Sequence, residues 1–179
     1  MEIQQMIIAC QNDDRRAQKL LMETYASYLF GICKRYTRDD QEAKDVLQEA
    51  FISIYAHIGE FKSDIGAFKA WIRRIAVNAA LQKLRKTYQK KEIMHDVIQD
   101  DRTEVPEVLD KINVDDLLTA INKLPELYRH VFNLYVIEGY KHKDIGDMLG
   151  MKESSSRAVL ARAKSQLREY LSIYEKVAI

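Results

Sequence analysis

Apolar residues recur along this chain at three- and four-residue intervals, the spacing of one face of an α-helix. Leu20, Leu21, Tyr25, Tyr28, Leu29 and Ile32 form one such stripe, with Asn12 or Asp13 placed to cap a helix running to about Thr37. A second stripe, Val46, Leu47, Ala50, Phe51, Ile54, Tyr55 and Ile58, follows Asp39 or Asp40 as its cap. Gly59 suits its end. The polar stretch Lys62-Ser63-Asp64-Ile65-Gly66 interrupts the pattern. It resumes as a long helix from about Ala67 to Lys90, with Phe68, Trp71, Ile72, Ile75, Ala79 and Leu84 inward.

From Glu92 to about Asn113 the apolar periodicity weakens and Pro106 appears, which reads as a linker. The pattern then returns as short helices at about Val114–Ile121 and Pro125–Glu138, with Pro125 in a first helical turn and Gly139 as terminator. Lys141–Leu149, a break at Gly150-Met151-Lys152, and a final helix from about Glu153 to Tyr174 complete the chain. Ile145, Met148 and Leu149 before the break, and Val159, Leu160, Ala163 and Leu167 after it, predict a helix-turn-helix. Gly150 permits the left-handed turn, and Gly146 lets the two helices approach closely.

The predicted fold class is therefore all-α, with two helical domains joined by an acidic linker: 1–91, 92–113 and 114–179, the last containing the helix-turn-helix. Composition agrees. Only six Gly and two Pro in 179 residues argue against a multi-turn β fold. No span of eighteen apolar residues occurs, and the N-terminus lacks a signal-peptide pattern, so the expected compartment is the cytoplasm. Cys10 and Cys33 stand at apolar helical positions, which predicts buried free thiols.

The net charge of +1 conceals a segregated pattern. Residues 1–61 carry 7 basic and 10 acidic groups, and residues 62–91 carry 9 basic groups against Asp64 alone. Residues 92–116 reverse to 2 basic and 9 acidic, and 141–168 return to 7 basic and 3 acidic. Two basic blocks separated by an acidic connector suggest two contacts with a polyanion.

Each block has side chains suited to nucleic acid. Glu153, Ser154, Ser155, Ser156 and Arg157 would open the second helix of the helix-turn-helix, offering short polar and cationic groups to base edges in a major groove. Arg162, Lys164 and Arg168 could meet the phosphate backbone, and Lys143 is a further candidate DNA contact of this unit. In the first block Lys62, Ser63, Trp71, Arg73, Arg74 and Asn78 interleave cations with an aromatic ring and an amide, a mixture suited to unstacked bases. Trp71 also suits a place in the core. A third cluster, Asp45, Gln48 and Glu49, falls opposite the apolar stripe of its helix and reads as a protein-facing or solvated acidic patch. No phosphate loop, nucleophile elbow, zinc-protease or dinucleotide motif is present, so no enzyme activity, catalytic residue, metal or cofactor is expected.

The runs Asp45-Val46-Leu47-Gln48-Glu49-Ala50-Phe51 and Phe68-Lys69-Ala70-Trp71-Ile72-Arg73-Arg74-Ile75-Ala76-Val77-Asn78 are followed by a helix-turn-helix that closes on Ala161-Arg162-Ala163-Lys164. In that order they resemble the sigma-70 family of bacterial initiation factors, and within it the small two-domain extracytoplasmic-function (ECF) branch. The resemblance implies that Asp45, Gln48 and Glu49 dock on the coiled-coil clamp helices of the largest subunit of core RNA polymerase. It implies that the Phe61–Gly66 loop and the helix through Asn78 recognise and melt a minus-ten promoter element. The helix-turn-helix would read a minus-thirty-five element and dock on the flap of the second-largest subunit. An anti-sigma factor is an implied partner; a small-molecule substrate and membrane insertion are not.

The acidic linker admits two readings, an RNA mimic in a polymerase channel or a plain spacer. Its 22 residues reach at most roughly 75 Å, against about 70 Å for two turns of duplex, so both elements can be contacted at once. Some positions depart from the family pattern: Val159 replaces a common Arg, Ser156 an apolar residue, and Gly146 the usual Ala. A stand-alone helix-turn-helix regulator is the alternative; it leaves the Asp45 cluster and the Phe61–Asn78 segment without a role.

Overall fold

A computed structural model describes residues 2–62, 64–88 and 114–177. Ser63 and the connector expected at 92–113 lie outside the described residues. Among those described, every regular element is helical, and the chain divides into two compact units near residue 84.

The first unit contains α1 (Ile3–Gln11), α2 (Arg15–Lys34), α3 (Asp40–His57) and all but the last turn of α4 (Phe68–Tyr88). The cap of α2 lies one residue past Asp13, the later of the two expected caps. Asp14 is its N-cap, accepting from the amides of Arg16 at 2.8 Å and Ala17 at 3.3 Å. Asp13 instead takes the left-handed conformation at φ 58° that turns the chain out of α1, which a short polar side chain tolerates. At α3 the expected Asp39 does cap, accepting from Glu42 N–H at 2.8 Å, while the Glu42 carboxylate accepts from Arg38 N–H at 2.9 Å. This exchange satisfies two amides that would otherwise lack partners. α3 does not stop in a left-handed glycine. Gly59 lies inside a 3-10 turn over Ile58–Glu60, so the freedom anticipated for it goes unused.

Leu21 and Leu29 from α2, Ile54 from α3, and Phe68, Ile72 and Val77 from α4 are fully buried and form the centre of this unit. Each such side chain contributes roughly 1.5–3 kcal/mol relative to exposure. The Tyr55 hydroxyl donates to Gln18 C=O at 2.9 Å and ties α3 to α2. Cys10 and Cys33 are buried free thiols, as expected.

The second unit contains α5 (Val114–Lys123), α6 (Glu126–Phe132), α7 (His142–Leu149) and α8 (Glu153–Val177). α8 is its spine, and α5, α6 and α7 all pack on it. Ala120, Ile121 and Leu124 meet Ala163 and Leu167, with Leu117, Tyr128 and Phe132 closing over them. The helix expected through Glu138 is α-helical only to Phe132. It widens into a π-helical turn over Asn133–Ile137, where Glu138 N–H reaches Asn133 C=O at 2.9 Å, and Gly139 at φ 78° then reverses the chain. No helix among the described residues is long and apolar enough to cross a membrane.

Candidate nucleic-acid and polymerase interfaces

The buried side of α3 is Ala43, Ala50, Phe51 and Ile54. Asp45, Gln48 and Glu49 are left exposed, as the spacing predicts. Gln41 Nε2 donates to Asp45 Oδ1 at 3.3 Å, and Ile52, 63% exposed, lies one turn beyond Gln48. The result is an acidic surface with a single large apolar side chain in it.

Between α3 and α4 the chain passes through Phe61 and Lys62 and a second 3-10 turn, Ile65–Ala67, closed by Ala67 N–H to Asp64 C=O at 2.8 Å. An aromatic cluster holds the base of this loop. Phe61 lies 5.3 Å from both Phe68 and Trp71 between ring centroids, Phe68 and Trp71 are 5.7 Å apart, and Tyr25 meets Phe68 edge-on at 5.8 Å. Trp71 is thus half-buried, serving both as packing for Phe61 and as partly open surface. Lys62, Arg74 and Asn78 are exposed. Trp71, Arg74 and Asn78, spaced by three and four residues, share one face of α4. Arg73, two residues from Trp71, turns off that face and is half-buried. Lys69 lies over the Tyr28 ring at 4.5 Å, a cation–π contact that fixes α4 against α2.

In the second unit Gly150 takes φ 71° and ψ 35°, and the amides of Gly150 and Met151 both point to Gly146 C=O, the latter at 2.9 Å. A Cβ on Gly146 would sit 2.7 Å from Met151 C=O. This is the close approach that the sequence anticipates. Ile145 and Leu149 from α7 and Val159 and Leu160 from α8 are buried, so the position of the missing Arg is occupied by a core side chain.

The helix-turn-helix leaves Lys143, Glu153, Ser154 and Arg157 exposed and Ser155, Arg162 and Lys164 half-buried. Arg157 and Glu153 form an i,i+4 ion pair along α8. Ser156 departs from expectation. It is 0% exposed, and its hydroxyl shares a hydrogen bond with His142 Nδ1 at 3.0 Å, so it cannot reach a groove and belongs to the packing of the motif. His142 is itself buried and stacks on Tyr135, 4.4 Å between centroids. Sequence reading passed over His142, since a lone His among scattered ones carries no spacing signal. It also passed over Gln11, whose Nε2 donates to Ile58 C=O at 3.0 Å and Phe61 C=O at 3.1 Å.

Comparison with known proteins agrees with this layout. The sigma-70 region 2 pattern matches residues 21–90 and the sigma-70 region 4 pattern residues 115–167. The RNA polymerase sigma-H factor of Pseudomonas aeruginosa is 28% identical over 94% of this chain and 93% of its own. The ECF RNA polymerase sigma factor SigW of Bacillus subtilis is 27% identical over 96% and 97%. Among solved structures, the sigma factor RpoE in complex with the anti-sigma factor NepR from Bartonella quintana shares the fold at TM-score 0.52 and 18% identity, over 87% of this chain and 96% of that one. With regions 2 and 4 in order on an all-α fold, the chain belongs to the ECF branch of the sigma-70 family, RNA polymerase sigma factors of transcription initiation.

Proposed function

We propose that this chain binds core RNA polymerase and directs initiation at promoters carrying both a minus-ten and a minus-thirty-five element. The observation that carries the reading is exposed Lys62, Arg74 and Asn78 with the half-buried Trp71 ring, beside a loop anchored by aromatic packing. Extruding one base costs a few kcal/mol of unstacking, so a preformed site with a planar ring, an amide and cations is what melting requires. Ser63, in the same loop, belongs to this reading, and half-buried Arg73 supports it through the backbone rather than a base.

Asp45, Gln48 and Glu49 form the docking face for the polymerase clamp, where their charge suits a basic partner. The helix-turn-helix reads the duplex upstream through Ser154, Ser155 and the Glu153–Arg157 pair, with Lys143, Arg162 and Lys164 toward phosphates, and the same unit meets the flap. The boundaries 1–91, 92–113 and 114–179 then separate two DNA-reading modules by a connector. An anti-sigma factor that covers the docking faces is the expected regulator, since the related RpoE structure holds one.

The test mixes purified chain with bacterial core RNA polymerase, follows co-elution on size exclusion, and sequences transcripts from fragmented genomic DNA. A stable complex whose transcripts start below one shared two-part motif is the expected result. Tight duplex binding by the chain alone, with no polymerase complex, would overturn it in favour of a stand-alone regulator.

A further inference from the structure

Gln11 lies outside the residues matched by the region 2 pattern, yet it makes the longest-range side-chain hydrogen bonds described in the first unit. A glutamine amide has two N–H donors. Here both are engaged, on Ile58 C=O at 3.0 Å and Phe61 C=O at 3.1 Å, 47 and 50 residues away in sequence. Those carbonyls bracket the 3-10 turn that launches the Phe61–Gly66 loop, and the turn's own bond, Phe61 N–H to Ile58 C=O at 3.1 Å, lies between them. α1 also packs directly on this turn, with Met6, Ile7 and Cys10 buried.

The turn sets where the Phe61 ring lies, and Phe61 in turn packs on Phe68 and Trp71 at 5.3 Å. A continuous chain of contacts therefore runs from α1 through the turn to the half-buried tryptophan. On its far side the loop is closed by the Asp64–Ala67 turn. Between these anchors Lys62, Asp64, Ile65 and Gly66 are exposed. A loop that must receive an extruded base loses binding free energy to any disorder that has to be removed on capture. Fixing its first backbone carbonyls from another helix removes part of that disorder in advance.

We propose that Gln11 is a positioning residue for promoter opening: α1 acts as a strut that fixes the Phe61 end of the melting loop for base capture. This rests on the reading of that loop as the melting element.

Three variants separate donation from packing. Gln11→Leu keeps the volume and removes both donors, Gln11→Glu turns carboxylate oxygens toward the two carbonyls, and Gln11→Lys keeps a donor. Each is assembled with core polymerase on a promoter recovered from the transcript sequencing above. Permanganate reactivity of minus-ten thymines gives the opening rate on duplex DNA and on a template with that element already mismatched, while core affinity is measured separately. Two neutral hydrogen bonds correspond to about a tenfold population shift. Leu and Glu should therefore open duplex about tenfold more slowly, Lys close to wild type, with core affinity unchanged in all three and the deficit reduced on the mismatched template. Asn78→Ala serves as the loop-side control. Normal opening by Leu and Glu with slow opening by Asn78→Ala overturns the role of Gln11 and leaves the loop reading intact; normal opening by all of them overturns the loop reading too. Should the Leu variant fail to fold, Glu against Lys makes the same comparison, and equal opening by those two overturns the proposal.

Discussion

His142 Nδ1 and Ser156 Oγ meet at 3.0 Å inside the helix-turn-helix, joining the first turn of α7 to the first turns of α8. Both residues are buried, so this is a polar contact at a seam otherwise made of Ile145, Leu149, Val159 and Leu160. The N-terminal end of α8, which offers Glu153, Ser154 and Arg157 outward, is thereby tied to α7 by a directional bond. Apolar packing tolerates small rotations; a buried hydrogen bond does not.

Ser156→Ala should therefore destabilise the second unit by about 1–3 kcal/mol, the cost of depriving a buried polar group of a partner. His142→Leu combined with Ser156→Ala should cost less than the two single changes summed, with a coupling of at least about 0.5 kcal/mol. Chemical denaturation of the four proteins measures the cycle. Strict additivity would show that the two side chains do not act as a pair.

Gly146→Ala sets two effects against each other. Alanine favours the helix interior by about 0.5–1 kcal/mol, while crowding a packed interior costs about 1–3 kcal/mol. The crowded atom is the backbone carbonyl of Met151, 2.7 Å from the new Cβ, which cannot swing aside as a side-chain tip would. The clash should win, lowering stability by about 1 kcal/mol. A thermal midpoint equal to or above wild type would show that the turn shifts at little cost.

Reversal of charge at Asp45 and Glu49 to Lys should leave the fold unchanged, because both side chains are exposed and the buried side of α3 is untouched. Affinity for core polymerase should fall by about tenfold or more, as opposed charges become like charges at the contact. Equal affinity, by titration at fixed salt, would remove this face from the docking surface.

The first unit should lose stability in alkali. Burial pushes the Cys33 thiol from 9.0 up to about 11, and burial followed by the charge of Cys10 pushes the Tyr55 hydroxyl from 10.0 up to about 12. Between each pair of values the folded chain holds a proton that the unfolded chain has released. Stability is thus intact below about pH 9 and falls as pH rises through 11, first from Cys33 and then from Tyr55. Denaturation midpoints from pH 8 to 11 should decline in wild type and decline less in Cys33→Ala. Parallel curves would assign the loss to other groups.

Periodicity was enough to foresee seven of the eight α-helices among the described residues in broad outline, because an apolar stripe at 3.6-residue spacing is a local property that survives any tertiary arrangement. The exposed face of Asp45, Gln48 and Glu49 followed from the same rule, and the left-handed Gly150 and the tight Gly146 from glycine's lack of a Cβ. α1 (Ile3–Gln11) went unforeseen, and the remaining errors fell where one residue's geometry decides. Asp14 caps α2 because Asp13 is spent on the turn, and nothing in a run of Asn12, Asp13 and Asp14 distinguishes those roles.

Sequence order and side-chain chemistry were thus sufficient for an all-helical chain with a basic loop-and-helix block, an acidic connector and a helix-turn-helix, in an arrangement resembling the sigma-70 family. Folding assigned what each polar residue does within that frame. Ser156 stands between half-buried Ser155 and exposed Arg157 in a polar run yet turns inward to His142, and Gln11 reaches carbonyls 47 and 50 residues away. Both contacts depend on where the chain returns after a turn, and a hydrogen bond needs atoms within a few tenths of an ångström. Hydrophobic spacing carries no information at that precision, whereas packing of the helices creates it.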